Sequence, residues 1–252
     1  MQKYKFAILT ALAGIAVLFS ASSAHASLTL KLSTNGGLTY ATPSSGSLTG
    51  TTSTTATFVI SGTTFIVSAA SNAPLGTSTA QISQVQVDIN GGSSPASFNL
   101  VVAVSDTSFT APTGAAVLTS SLSGAVAAGA VTGSGTFNSV VDYNNNLFGG
   151  LPIGGTASGN TAATSTQTPT ISSSFNNTVT AGTTATTPFA MSNEFHISNL
   201  NIGSGAIFTL NGSTTLAPVP APEGFVLALS GTPLLGLGYW LRRRKVLPAT
   251  AA

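Results

Sequence analysis

Between Ser27 and Leu216 the chain carries one cation, Lys31, and four anions, Asp88, Asp106, Asp142 and Glu194, a net charge of −3. Any chemistry in this stretch must use these five groups, His196 and a large supply of hydroxyls. Glu194 and His196 stand two apart, which on a strand puts both on one face. There they make two ligands of a metal site that no other histidine of the stretch completes. A Ser-His-Asp relay needs His196 with Asp88, Asp106 or Asp142 as its orienting acid, but no serine lies in a Gly-x-Ser-x-Gly elbow. Paired carboxylates for glycoside hydrolysis require two of the chain's five acids to converge from distant loops. Asp142-Tyr143-Asn144-Asn145-Asn146 places oxygen ligands at the first, third and fifth positions of a calcium loop. Leu147 and Ile153 then fill the places that need glycine and a bidentate glutamate, so an Asn-rich turn is the simpler reading. The sequence holds no cysteine, which removes disulfides, thiolate metal ligands and thiol nucleophiles. No catalytic residue, metal or cofactor is expected.

The elements that must position these groups read as strands. Leu28, Leu30 and Leu32 alternate with polar neighbours, as do Val85, Val87 and Ile89, and Phe98, Leu100, Val102 and Val104. Phe58–Ile60 and Phe65–Val67 form two strands joined through Ser61-Gly62. Asn90-Gly91-Gly92 supplies a turn, and Asn211-Gly212 predicts a tight hairpin between strands at 207–210 and 213–216. No amphipathic helix and no exact repeat interrupts this pattern. Short strands separated by glycine and asparagine turns predict an all-β chain, a single β-sandwich or jelly-roll-like domain over residues 27–216. Residues 155–188 hold 17 Ser or Thr in 34 positions and no charge. They read as a low-complexity insertion, a long loop between an early block of strands at 27–109 and a closing block at 195–216.

Charge is the compositional anomaly. Only 5% of the 252 residues are Asp, Glu, Lys or Arg, against about 25% in an ordinary soluble domain. The formal net charge of +2 comes from the ends of the chain, and no basic patch exists between them to neutralise phosphates. Nucleic acid is therefore excluded as a partner.

Those ends carry signals. Lys3 and Lys5 precede an apolar run from Phe6 to Phe19, and small residues lead to Ala24-His25-Ala26, the A-x-A pattern of a secretory signal peptide over residues 1–26. Ala24 and Ala26 fit the small pockets of signal peptidase, and the run is shorter than the ~20 residues of a membrane span. At the other end, residues 224–241 are uncharged and, as a helix, roughly 27 Å long, close to the thickness of a bilayer's hydrocarbon core. Arg242, Arg243, Arg244 and Lys245 follow and would remain cytoplasmic by the positive-inside rule. Both ends agree on a topology that exports residues 27–222.

Within residues 217–252, Pro222-Glu223-Gly224 precedes the apolar segment with its Leu234-Leu235-Gly236-Leu237-Gly238 run, and the arginine cluster closes it. This tail resembles the PEP-CTERM protein-sorting signal of Gram-negative bacteria that make extracellular polysaccharide. Gly224 stands where that family usually has a second proline. The resemblance implies recognition and removal of the tail by an exosortase, an integral-membrane protease or transpeptidase, so that the membrane anchor is temporary. Leu247-Pro248-Ala249-Thr250-Ala251 looks like a sortase pentapeptide but follows the apolar segment instead of preceding it, and a GPI signal lacks a terminal basic cluster.

Together these readings predict a non-catalytic exported protein of the cell surface or extracellular matrix, associated with exopolysaccharide or biofilm. The alternatives are a carbohydrate-binding or adhesion module that stacks sugars on Tyr40, Tyr143 and Phe148, and a surface hydrolase with an unrecognised site. Expected partners are signal peptidase, the exosortase-type enzyme, extracellular polysaccharide and, transiently, the membrane. N-terminal sequencing of exported protein should start at Ser27; a sequence starting at Met1 or Gln2 refutes the signal-peptide reading.

Overall fold

The computed structural model describes residues 27–73, 78–151, 161–167, 170–171 and 175–220. These residues form fourteen strands and no helix. The first seven are β1 (Leu28–Ser33), β2 (Ser45–Gly46), β3 (Thr49–Gly50), β4 (Ser53–Ile60), β5 (Thr63–Ser71), β6 (Ala80–Asn90) and β7 (Ala96–Phe109). They are followed by β8 (Gly114–Ala128), β9 (Val131–Asp142), β10 (Thr161–Gln167), β11 (Thr170–Ile171), β12 (Phe175–Ala185), β13 (Phe189–Ile202) and β14 (Ile207–Pro218). All strand pairs are antiparallel and build two sheets. The first runs β10-β9-β13-β7-β1-β3, with β11 also on β9, and the second runs β12-β8-β14-β6-β5-β4-β2. The all-β expectation holds, and two sheets around a shared core are consistent with a β-sandwich.

Period-two alternation builds that core. Leu28, Leu30 and Leu32 on β1, Val85, Val87 and Ile89 on β6, and Leu100, Val102 and Val104 on β7 are all fully buried. They join one apolar cluster drawn from both sheets, and Phe65 of β5 meets Phe98 of β7 edge-on across it at 5.3 Å. Fully burying a side chain of this size contributes about 1.5–3 kcal/mol.

Two layers at the centre show how the sheets fit. In the first sheet Phe137 pairs with Phe195, their rings 4.6 Å apart. In the second sheet Gly212 pairs with Leu122. A Cβ on Gly212 would lie 2.6 Å from Phe137 and 2.8 Å from Phe195, so the absent side chain makes room for the two rings. One step along, Ser139 pairs with Asn193 and Ser120 with Thr214. Here hydroxyls cross the gap: Ser120 Oγ to Ser139 Oγ is 2.8 Å, and Ser139 Oγ to Thr214 Oγ1 is 2.7 Å. Thr214 Oγ1 also donates to Asn193 Oδ1 at 2.6 Å.

Two expectations need correction. Asn211-Gly212 is no hairpin: both residues sit inside the continuous strand β14, and neither takes the positive φ of a type I′ turn. Packing of the phenylalanine pair explains the glycine instead. That turn geometry does occur at Ser61-Gly62, where φ is 51° and 77° between β4 and β5. Secondly, the Ser/Thr-rich stretch 155–188 contains β10, β11 and β12 in place of one long loop, and β12 pairs with β8 along all 11 of its residues. β-Branched threonines suit a pleated surface. The two-block division also leaves out β8 and β9, which occupy interior positions in the two sheets.

Gly212→Ala should destabilise the protein by about 1–3 kcal/mol, the usual cost of an overpacked core. Gly182→Ala, on exposed β12 with open space around its Cβ, is the control and should change little. Chemical denaturation of both variants measures the difference; equal stabilities would refute the packing role of Gly212.

Candidate functional sites

The outward face of the first sheet carries Lys31, Glu194 and His196. Register aligns Lys31 of β1, Ala103 of β7, Glu194 of β13 and Asn138 of β9 in one row across four strands. The loop after β9 folds back over this row, and Phe148 and Leu151 pack on Ala103 and Val140. Small Ala103 leaves the space that the Phe148 ring fills. The Phe148 amide donates to Ser105 Oγ at 2.9 Å, and that hydroxyl lies 2.8 Å from Ser192 Oγ. Lys31 Nζ stands 4.1 Å from the Phe148 ring centre and 5.2 Å from that of Tyr40. Partial burial lowers the Lys31 pKa. Glu194 is fully buried; burial, and then its negative charge, raise the pKa of Tyr40.

Glu194 and His196 share this outward face, as their spacing predicts. His196 sits between Val101 and Thr136 in the register, and burial lowers its pKa. None of the three aspartates is positioned as its orienting acid. Asp88 lies on the outward face of the other sheet, and Asp106 is buried at the end of the inter-sheet space near Ser71 of β5. Asp142 stands four residues from Asn138 along β9, roughly 13 Å from the Glu194 row. Its two carboxylate oxygens accept the Asn144 amide at 3.0 Å and the Asn146 amide at 3.1 Å. Asn145 Oδ1 accepts the Ser108 amide at 2.7 Å. These oxygens therefore brace the turn, in line with the Asn-rich-turn reading. Among the described residues no three His, Cys, Asp or Glu side chains group as a metal site.

The aromatic trio does not form an open platform. Phe148 is 3% exposed. Tyr143 sets its ring edge-on to Phe189 at 6.5 Å, and its hydroxyl donates to the Thr184 carbonyl. Tyr40 alone is substantially exposed.

The outward face of the second sheet is different in kind. One row runs Asn176, Ser123, Asn211, Gln86, Ser68 and Thr55, one side chain from each of β12, β8, β14, β6, β5 and β4. All six are uncharged hydroxyls or amides. Asp88 supplies a carboxylate beside them, and it is engaged: Thr209 Oγ1 and Gln86 Nε2 each donate to it at 2.8 Å. Gln84 Nε2 donates in turn to Gln86 Oε1 at 2.7 Å. A groove of about 250 Å³ opens on this face beside Ser121, Ser123, Asn176, Asn211 and Ser213. Sequence reasoning did not find this row, because the register that aligns six distant residues is not written in local spacing; the excess of Ser, Thr, Asn and Gln was the only signal.

Ala24, Ala26, Pro222, Glu223, Arg242, Arg243, Arg244 and Lys245 lie outside the described residues, as does the segment 224–241. Among the described residues no helix is long and apolar enough to cross a membrane. No protein-family model matches the chain, and none of the curated proteins compared is similar to it.

Replacing Glu194 with Gln removes the negative charge that raises the Tyr40 pKa. The Tyr40 phenol should then titrate closer to the ordinary value of about 10, while still held above it by burial. Ultraviolet titration of tyrosinate, with Tyr40→Phe identifying the signal, measures the shift. An unchanged or increased pKa would refute the coupling.

Proposed function

We propose that this chain is a non-catalytic exported protein of the cell surface or extracellular matrix, a single sandwich domain that lies against neutral polysaccharide. The observation that carries the reading is the uncharged row from Asn176 to Thr55 and the groove beside it. Sugar hydroxyls both donate and accept, and so do the amides and hydroxyls of this face. Exchanging water for sugar on such a surface costs no buried charge. Each contact contributes only about 0.5–1.5 kcal/mol net, so retention depends on many contacts at once. A repeating polymer supplies them. The PEP-CTERM-like tail and the leader favour the same setting, one in which exopolysaccharide surrounds the protein. Sugar stacking on Tyr40, Tyr143 and Phe148 has less support, since Phe148 is covered.

Exported protein should be retained on neutral polysaccharide gels, and Ser123→Glu with Asn211→Glu should weaken retention at least about tenfold, equivalent to about 1.4 kcal/mol. A chain that ignores every neutral polysaccharide, or a double variant that binds as before, overturns the reading. The sorting half is tested separately by mass spectrometry of protein from a host with a matching exosortase. Mature protein should lack Trp240 and Arg242. Glu223→Ala should insert normally but escape processing, and neutral replacements of Arg242–Lys245 should impair retention in the membrane. A mature chain that keeps the tail makes it a permanent anchor.

A further inference from the structure

Asp106 is an acid with no counter-charge beside it among the described residues. It is fully buried on β7. Its Oδ1 accepts the Thr107 amide at 2.8 Å, and its Oδ2 is buried and receives no hydrogen bond. Burial pushes its pKa up to about 6; the Ser71 hydroxyl, the Thr107 amide and the Ser27 amide partly oppose that rise. Thr29 pairs with Ser105, which sets Ser27 level with Thr107 where the chain enters β1. The carboxyl that carries this oxygen thus sits beside the nitrogen of the residue that leader removal is expected to free.

We propose that cleavage after Ala26 turns the Ser27 amide into an α-ammonium that pairs with Asp106, and that this ion pair fastens the first strand of the mature domain. The inference rests on the leader reading given above. Hydrolysis adds one water across the Ala26–Ser27 bond: Ala26 departs with a carboxylate, and Ser27 keeps the nitrogen and gains protons to become an ammonium. A single weak donor beside the carboxyl becomes a cation with three, enough to satisfy Oδ2. Before cleavage the same carboxyl is a desolvated acid without a counter-charge, which weakens the folded precursor and keeps it easier to unfold for export.

The neighbouring elements add no rival charge. β1 brings Ser27 and Leu28, β5 brings Ser71, β13 brings Met191, and no charge among the described residues contributes to the Asp106 shift. The ammonium's pKa should therefore rise in the folded chain, and the pair's stabilisation should be present below about 8 and lost as pH rises through the higher folded value. On the acid side the carboxyl should fall below its uncleaved value of about 6. The ion pair itself is lost once that carboxyl takes up a proton.

The test uses the full exported chain. N-terminal sequencing comes first, and a start other than Ser27 refutes the leader reading, taking this inference with it. Given a Ser27 start, competitive acylation near pH 8 compares the α-amine in the folded and the urea-unfolded protein. The folded amine should react about fourfold more slowly at that pH, the effect of a pKa raised by one unit from about 7.8. Selective acetylation of that amine should lower Tm by several degrees in the native protein and leave the Tm of Asp106→Asn unchanged. An amine of ordinary reactivity in the folded chain, or the same Tm loss in both proteins, overturns the ion pair while leaving the leader reading intact. The labelling measurement stands alone if Asp106→Asn fails to fold.

Discussion

Hydroxyls that reach across the core fix the two sheets against each other. Ser120 and Thr214 on one side meet Ser139 and Asn193 on the other, through contacts of 2.8, 2.7 and 2.6 Å. Apolar side chains tolerate small slides between sheets; hydrogen bonds in a dry interior do not, because a lost partner leaves a buried polar group at a cost of about 1–3 kcal/mol. Asn193 Nδ2 donates to no partner, so the layer carries one such cost even in register. The layer beside it acts in the same direction, with Phe137 and Phe195 seated where Gly212 has no side chain. A sheet displaced by one residue would drive the rings into β14 and break the hydroxyl chain together. Specificity of alignment, more than added stability, is what such a layer supplies.

Both outward faces depend on that alignment. The first sheet shields its charges: the loop after β9, braced by Asp142, lays Phe148 over Ala103, and Lys31 rests against the ring instead of projecting into water. The second sheet leaves its outer surface open, and its polar side chains bond one another along β6 and across to β14. Such internal bonds hold the amides and hydroxyls of this face in place. Preorganisation of this kind reduces the ordering entropy that a flexible polar surface would lose on binding.

Strands with strong alternation were legible in the sequence. β1, β6 and β7 follow from leucine, valine and isoleucine at every second position, and Ser61-Gly62 announces its turn. β8 was not legible, because the inward series Ala116, Leu118, Ser120, Leu122 and Gly124 mixes apolar, polar and absent side chains. Ser120 is inward for the sake of Ser139, which lies 19 residues away on the other sheet, and no local window contains that reason. Asn211-Gly212 misled for the same cause: a pair with high turn propensity was held in a strand by phenylalanines from β9 and β13. Of the candidate site, the shared face of Glu194 and His196 came from spacing alone. The burial of Glu194 and the cover over Phe148 required the tertiary fold.

A count of charges in the sequence overstates what the domain shows to solvent. Of the five charged groups from Lys31 to Glu194 in the body, Asp106, Asp142 and Glu194 are buried, and Asp88 is engaged by Thr209 and Gln86. The surface that remains is held in water by hydroxyls and amides. Mutual charge repulsion, the usual means of keeping proteins apart in solution, is nearly absent here. A protein freely dissolved at high concentration would be poorly served by that choice. Under the proposed reading the same surface suits a neutral polysaccharide, because each sugar offers the same donors and acceptors as the water it replaces.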